Sequence, residues 1–144
     1  MTLRTLLITG AAALAMTALY TSAQAGSYLS LEQSGVANAF GSAQHGNRNR
    51  LTAYQNGYRN DGYGTQTGAR NRVVIGQQGR GNDASATQFG RGNIVGIAQF
   101  GSGHQAITTQ DGRGNAIGVI QAGRGNSANV TQIGRGNVSV IVQD

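Results

Sequence analysis

Eleven glutamines recur at a spacing of eleven residues with no insertion anywhere: Gln33, Gln44, Gln55, Gln66, Gln77, Gln88, Gln99, Gln110, Gln121, Gln132 and Gln143. Two positions after each of the first ten comes a glycine, from Gly35 to Gly134. Five positions after comes an asparagine, at Asn38, Asn49, Asn60, Asn71, Asn82, Asn93, Asn115, Asn126 and Asn137, with His104 as the exception. A unit of eleven residues is too small to bury an apolar face alone, so a chain made of such units is expected to fold by stacking them.

The period does not suit a helix. An eleven-residue repeat can wind a right-handed coiled coil, but the recurring glycine would cost about 1 kcal/mol at every appearance in a helix interior. Between Asn and Gln the side chains alternate instead. Asn71, Val73, Ile75 and Gln77 share one face, and Arg72, Val74 and Gly76 the other. Alternation over seven residues predicts a strand of about 20 Å, followed by a four-residue turn whose glycine needs a positive φ.

Units also alternate in kind. One set points Leu51 and Ala53, Val73 and Ile75, Val95 and Ile97, or Ile117 and Val119 inward; the other points Phe40 and Ser42, Gly62 and Gly64, Ala84 and Ala86, or Ala128 and Val130. Large residues facing small ones fill a thin interior. The predicted fold is therefore all-β: a β-solenoid of 22-residue strand-turn-strand repeats in two parallel cross-β sheets, with about five and a half rungs. The rung Asn60–Gln66, with glycine at both inward positions, is expected to bury almost nothing and to gain from larger residues there.

Stacking also explains the amides. A lone inward Gln or Asn would be a costly buried polar group, whereas a column of identical amides can satisfy itself rung by rung, as in cross-β stacks. All the glutamines and asparagines named above are therefore candidate ladder residues.

Residues 1–25 have one early arginine, an apolar run from Leu6 to Leu19 and Ala23-Gln24-Ala25 before Gly26. This is the pattern of a secretory signal peptide, leaving a single repeat domain over 26–144 with no membrane span. The chain has no cysteine, so an exported domain must be stable without disulfides, and no proline, so no ladder bond is lost to one. The repeats start about eight residues after the cleavage point and end one residue before Asp144. Neither a capping helix nor a proline closes the stack, and its outer strands are expected to template further copies.

The pattern Gln-x-Gly-x-x-Asn-x-Ala-x-Val-x-Gln, seen from Gln121 through Asn126 to Gln132, resembles the curlin repeat, whose family comprises the subunits of curli, functional amyloid fibres on bacterial surfaces. The resemblance implies export across both membranes of a Gram-negative cell through a dedicated outer-membrane pore. It further implies nucleated assembly outside the cell with itself and another curlin subunit, and roles in biofilm matrix and adhesion. The glycine-rich N-terminal segment of the major subunit is replaced here by GSYLSLE before Gln33, while the even spacing and basic character are closer to the minor, nucleating subunit. Both types stay open.

The net charge is +6, with arginine as the sole basic residue type besides histidine. Arg48, Arg70, Arg91, Arg113 and Arg135 fall in turns on one edge, and Arg59, Arg80 and Arg124 on the other. The first five are candidates for a polyanion-binding edge facing extracellular DNA or anionic polysaccharide, or for gatekeeping by like-charge repulsion. Arg50 and Arg72 are expected to project from a sheet face away from that edge. Thr65, Thr87, Thr109 and Thr131 form an outward column explained by strand propensity. His45, His104 and the scattered acids make no ligand pattern, so no metal, cofactor or catalytic site is expected. A soluble solenoid that binds polyanions or surfaces as a monomer is the alternative reading.

Overall fold

A computed structural model describes residues 8–9 and 26–144. Among these the chain is built of strands without a helix, and no helix is long and apolar enough to cross a membrane. The strands are β1 (Ile8–Thr9), β2 (Tyr28–Val36), β3 (Ala39–Asn47), β4 (Arg50–Tyr58), β5 (Asp61–Ala69), β6 (Arg72–Arg80), β7 (Asp83–Arg91), β8 (Ile94–Ser102), β9 (Gln105–Arg113), β10 (Ala116–Arg124), β11 (Ser127–Arg135) and β12 (Val138–Gln143). The proposed signal peptide lies outside the described residues except for β1, which pairs with β2 at Gln33 and Ser34.

The even-numbered solenoid strands form one sheet in the order β2-β4-β6-β8-β10-β12, and β3-β5-β7-β9-β11 form the other. Every solenoid pair is parallel and joins residues 22 apart, as in Leu51 to Val73 and Gln66 to Gln88. Successive strands thus alternate between sheets, and each pair of strands is one rung. This is a β-solenoid of the expected repeat length.

The strands run further than the sequence suggests. From β2 to β11 each has nine residues and continues through the glycine, so only two residues, such as Arg48 and Asn49, join one strand to the next. The glycine bends the strand without ending it: Gly57, at φ 130°, still pairs with Gly79. A Cβ on Gly57 would collide with the carbonyl of Gly79, and one on Gly112 with that of Gly134. The column is glycine because backbone of the next rung occupies the place of the side chain.

A second left-handed residue follows two positions later. It is Ala37, Arg48, Arg59 and Arg70 in the early rungs (φ 53–58°) and Gly81, Gly92, Gly103, Gly114, Gly125 and Gly136 thereafter. For a residue with a Cβ this conformation costs about 1–2 kcal/mol.

The core lies between the sheets. Leu51, Val73, Ile75, Val95, Ile97, Ile117 and Val119 of the even strands pack on Ala84, Ala86, Ala106, Ala128 and Val130 of the odd ones. The glycine-bearing rung departs from the expectation of unfilled space. A Cβ on Gly64 would strike Leu51 Cδ1, and one on Gly62 would come within 2.6 Å of Phe40 Cδ2. Leu51 and Phe40 already occupy that volume, so the glycines make room for them and do not leave a void.

Candidate functional site

The glutamine column is a continuous chain of amides. In the even sheet Gln33 Nε2 donates to Gln55 Oε1 (2.6 Å), Gln55 to Gln77 (2.7 Å), Gln77 to Gln99 (3.0 Å), Gln99 to Gln121 (3.0 Å) and Gln121 to Gln143 (2.9 Å). In the odd sheet Gln44 donates to Gln66, Gln66 to Gln88, Gln88 to Gln110 and Gln110 to Gln132, at 2.8–3.1 Å. From Gln44 to Gln132 each amide also donates across to a carbonyl of the opposite sheet. Gln55 donates to Ala39 O, Gln66 to Arg50 O and Gln88 to Arg72 O. One side chain therefore ties its rung to the next and one sheet to the other.

The asparagine column is built differently. Asn Oδ1 accepts the backbone N–H of the asparagine one rung on, as from Asn71 to Asn49 and from Asn115 to Asn93 (3.0 and 3.1 Å). Its Nδ2 donates to carbonyls of the bend: Asn93 to Phe89 O and Gly112 O, Asn126 to Ala122 O, Asn137 to Ile133 O. Side-chain to side-chain bonds occur only from Asn60 to Asn38 and from Asn82 to Asn60. The asparagine is a clasp on the turn, suited to its short side chain, whereas the longer glutamine reaches its neighbour.

His104 fills the one vacant place in this column. Its Nδ1 accepts the backbone N–H of Asn126 (3.2 Å) and Nε2 lies 3.1 Å from Phe100 O. A neutral ring protonated on Nε2 reproduces both the acceptor and the donor of an asparagine. No buried side-chain polar atom among the described residues lacks a partner.

The stack ends with these interactions half used. At one end Gln132 Nε2 turns to Ser139 Oγ (3.0 Å), and Gln143 Nε2 keeps only Ser127 O. A Cβ on Gly134 would meet nothing nearer than Asn137 Nδ2 at 3.5 Å, where the same atom on Gly112 would collide with backbone. Among the described residues β11 and β12 have no strand on their outer edges, and β3 has none on its own.

The five candidate arginines share one edge but form two groups. Arg91, Arg113 and Arg135 are aligned by pairing, and Ala69 and Asn47 continue that column. Arg48 and Arg70 sit one residue later, at the left-handed position. This single-residue shift changes which flank the charge serves. Arg91, Arg113 and Arg135 line a groove on the odd-sheet side together with Asp111 and Ile133. Arg48 and Arg70 line a groove on the even-sheet side with Arg50, Arg72 and Tyr28.

Arg50 and Arg72 thus stand beside the edge arginines, contrary to the expectation that they point away. The two-residue turn is the reason: with only Asn49 between them, Arg48 and Arg50 flank one corner. Tyr28, Arg50 and Arg72 are consecutive in one outward column, and the Arg50 guanidinium lies 5.0 Å from the Tyr28 ring centroid. On the opposite edge Arg59 stacks on Tyr58 at 4.9 Å, and Arg80 and Arg124 are separated by Ser102.

Residues 46–79, 79–112 and 105–134 match the model of the family described as Curlin associated repeat. The chain has no match among the curated proteins.

Proposed function

The chain belongs to the curlin repeat family, and on that premise we propose that it is a structural subunit of an extracellular fibre that grows by adding copies along the axis of the stack. The observation that carries this reading is the state of the last rungs. The glutamine column, the asparagine clasps and the glycine column run through every interior rung. They then reach β11 and β12 with donors diverted and the place beside Gly134 open. Another rung of the same sequence pattern satisfies all three at once, and the unpaired strand edges supply its backbone bonds.

The remaining features of the reading follow from family membership and the sequence. Residues 1–25 act as a leader for export and are removed, after which the chain leaves the cell through an outer-membrane pore. Outside, it assembles with its own copies and a second curlin subunit into a surface fibre serving biofilm matrix and adhesion. The role is mechanical, and the amide columns are its working parts.

The purified, processed protein is expected to form fibres whose diffraction has a meridional reflection at about 4.7–4.8 Å and an equatorial one near 10 Å. A β-rich monomer that stays monomeric after seeding would contradict the proposal.

A further inference from the structure

We propose that the groove formed by Arg48, Arg50, Arg70 and Arg72 is a binding site for the phosphodiester backbone of single-stranded nucleic acid. Four guanidinium groups from two adjacent rungs line it, all on exposed residues, and no carboxylate is among the lining side chains. The other arginine groove on this edge contains Asp111 and the apolar Ile133. Formal charge is therefore more concentrated at the first site, where like charges stacked one rung apart have no internal counter-ion.

The arrangement suits a chain of phosphates better than a single anion. Arg48 is repeated by Arg70 and Arg50 by Arg72, each one rung on, at about 4.8 Å. A flexible single strand can lengthen its axial rise beyond the ~3.4 Å per nucleotide of a duplex strand, so neighbouring phosphates, which lie farther apart along the backbone than one rung, can step between the Arg48–Arg70 and Arg50–Arg72 columns. Guanidinium forks match phosphate oxygens in pairs. Tyr28, exposed at the end of the Arg50–Arg72 column, adds an aromatic surface next to the charge, the combination found in sequence-tolerant single-strand sites.

Backbone conformation does not by itself distinguish this groove. Arg48 and Arg70 hold φ of 55° and 58°, where the later rungs have glycine. Ala37 and Arg59 share that strain on the opposite edge, so strain marks the early rungs in general, and the clustering of charge singles out the groove.

The test is fluorescence anisotropy of a labelled oligothymidylate with the freshly purified chain across a sodium chloride series, using three variants. The first replaces Arg48, Arg50, Arg70 and Arg72 with Ser, the second replaces the same four with Lys, and the third replaces Arg91, Arg113 and Arg135 with Ser. Each phosphate contact contributes about 0.7 to the slope of log affinity against log salt for a single strand. The first variant is expected to lose roughly 2–3 units of slope and at least ~10-fold in affinity, and the third less than ~3-fold. The Lys variant keeps the charge and loses the forks, and is expected to fall between the wild type and the Ser variant. Because all seven side chains are exposed, circular dichroism of the variants is expected to match the wild type. Equal losses in the two Ser variants would overturn the localised site, as would a Lys variant binding as tightly as wild type the guanidinium role. Tighter binding of a duplex of equal charge, or of an alginate chain, would overturn the assignment to single-stranded phosphodiester.

Discussion

The early rungs, from β2 to the start of β6, and the later ones, from the end of β6 to β12, share one skeleton of glutamine, glycine and asparagine yet place their charge and strain differently. In the early turns arginine occupies the left-handed position, at Arg48, Arg59 and Arg70; in the later ones glycine takes that position and arginine, at Arg80, Arg91, Arg113, Arg124 and Arg135, moves one residue earlier. The outward face changes too. The column that reads Tyr28, Arg50 and Arg72 at the start continues as Ile94, Ala116 and Val138. A repeat protein can thus vary what it displays, by a shift of one residue in a turn, without disturbing the stack that carries the display.

If the skeleton is common, damage to it should be equally severe in both regions. Gly57→Ala in the early rungs and Gly101→Ala in the later ones each drive a Cβ into the carbonyl of the next glycine. Both are expected to cost about 3 kcal/mol or more, read as loss of the thermal unfolding transition or of fibre growth. A mild effect in one region would break the comparison there.

Next come the amides. Gln77→Leu in the middle of the even-sheet column leaves Gln55 Nε2 and Gln99 Oε1 without their partner and is expected to cost about 1–3 kcal/mol for each buried group orphaned. His104→Asn is expected to be nearly neutral, because asparagine supplies the same acceptor for the Asn126 N–H, whereas His104→Leu is expected to cost a similar 1–3 kcal/mol. Equal melting temperatures for the two His104 variants would show that its ring fills space only.

A double substitution addresses the packing of the early rungs. Gly64→Val alone is expected to destabilise by about 1–3 kcal/mol through overpacking against Leu51. Combining it with Leu51→Ala exchanges large and small across the sheets and should recover part of that loss in the melting temperature. A Gly64→Val chain more stable than wild type would mean that the glycine rung holds a void after all.

The smallest effects belong to the turns. Arg70→Gly relieves a strained residue, offset by the greater freedom of glycine in the unfolded chain, for a net gain of about 0.5–1 kcal/mol. Gly114→Ala imposes the same strain on a later rung and is expected to lose about 1–2 kcal/mol. Opposite signs in the two regions sharpen the comparison; the same sign in both would erase it.

Much of this was readable from residue spacing. The register follows from the eleven-residue recurrence of Gln, Gly and Asn, and the two parallel sheets from the alternation of large and small inward residues between successive units. What was not readable depends on distances across rungs. Seven-residue strands with four-residue turns were the natural inference, because nothing in the pattern reveals that a left-handed glycine can stay paired with its neighbour. That error carried Arg50 and Arg72 away from Arg48 and Arg70, although a two-residue turn brings them to one corner. The glycines of the Asn60–Gln66 rung resembled a defect because the reach of Leu51 and Phe40 is not written in their own segment. The asparagine clasp was missed for a similar reason: side-chain length decides whether an amide bonds to its twin or to the turn.

The central claim is that copies join by continuing the strand edges, and amide hydrogen exchange tests it most directly. In the single chain the backbone amides at the outer edge of β11 and β12 have no partner strand among the described residues, so they should exchange far faster than those of β6 to β9. In fibres of the same protein the account predicts that β11 and β12 become as protected as the interior strands, because another rung now pairs with them. Fibres in which those two strands still exchange as they do in the single chain would contradict it, and would mean that the copies associate through their sheet faces instead.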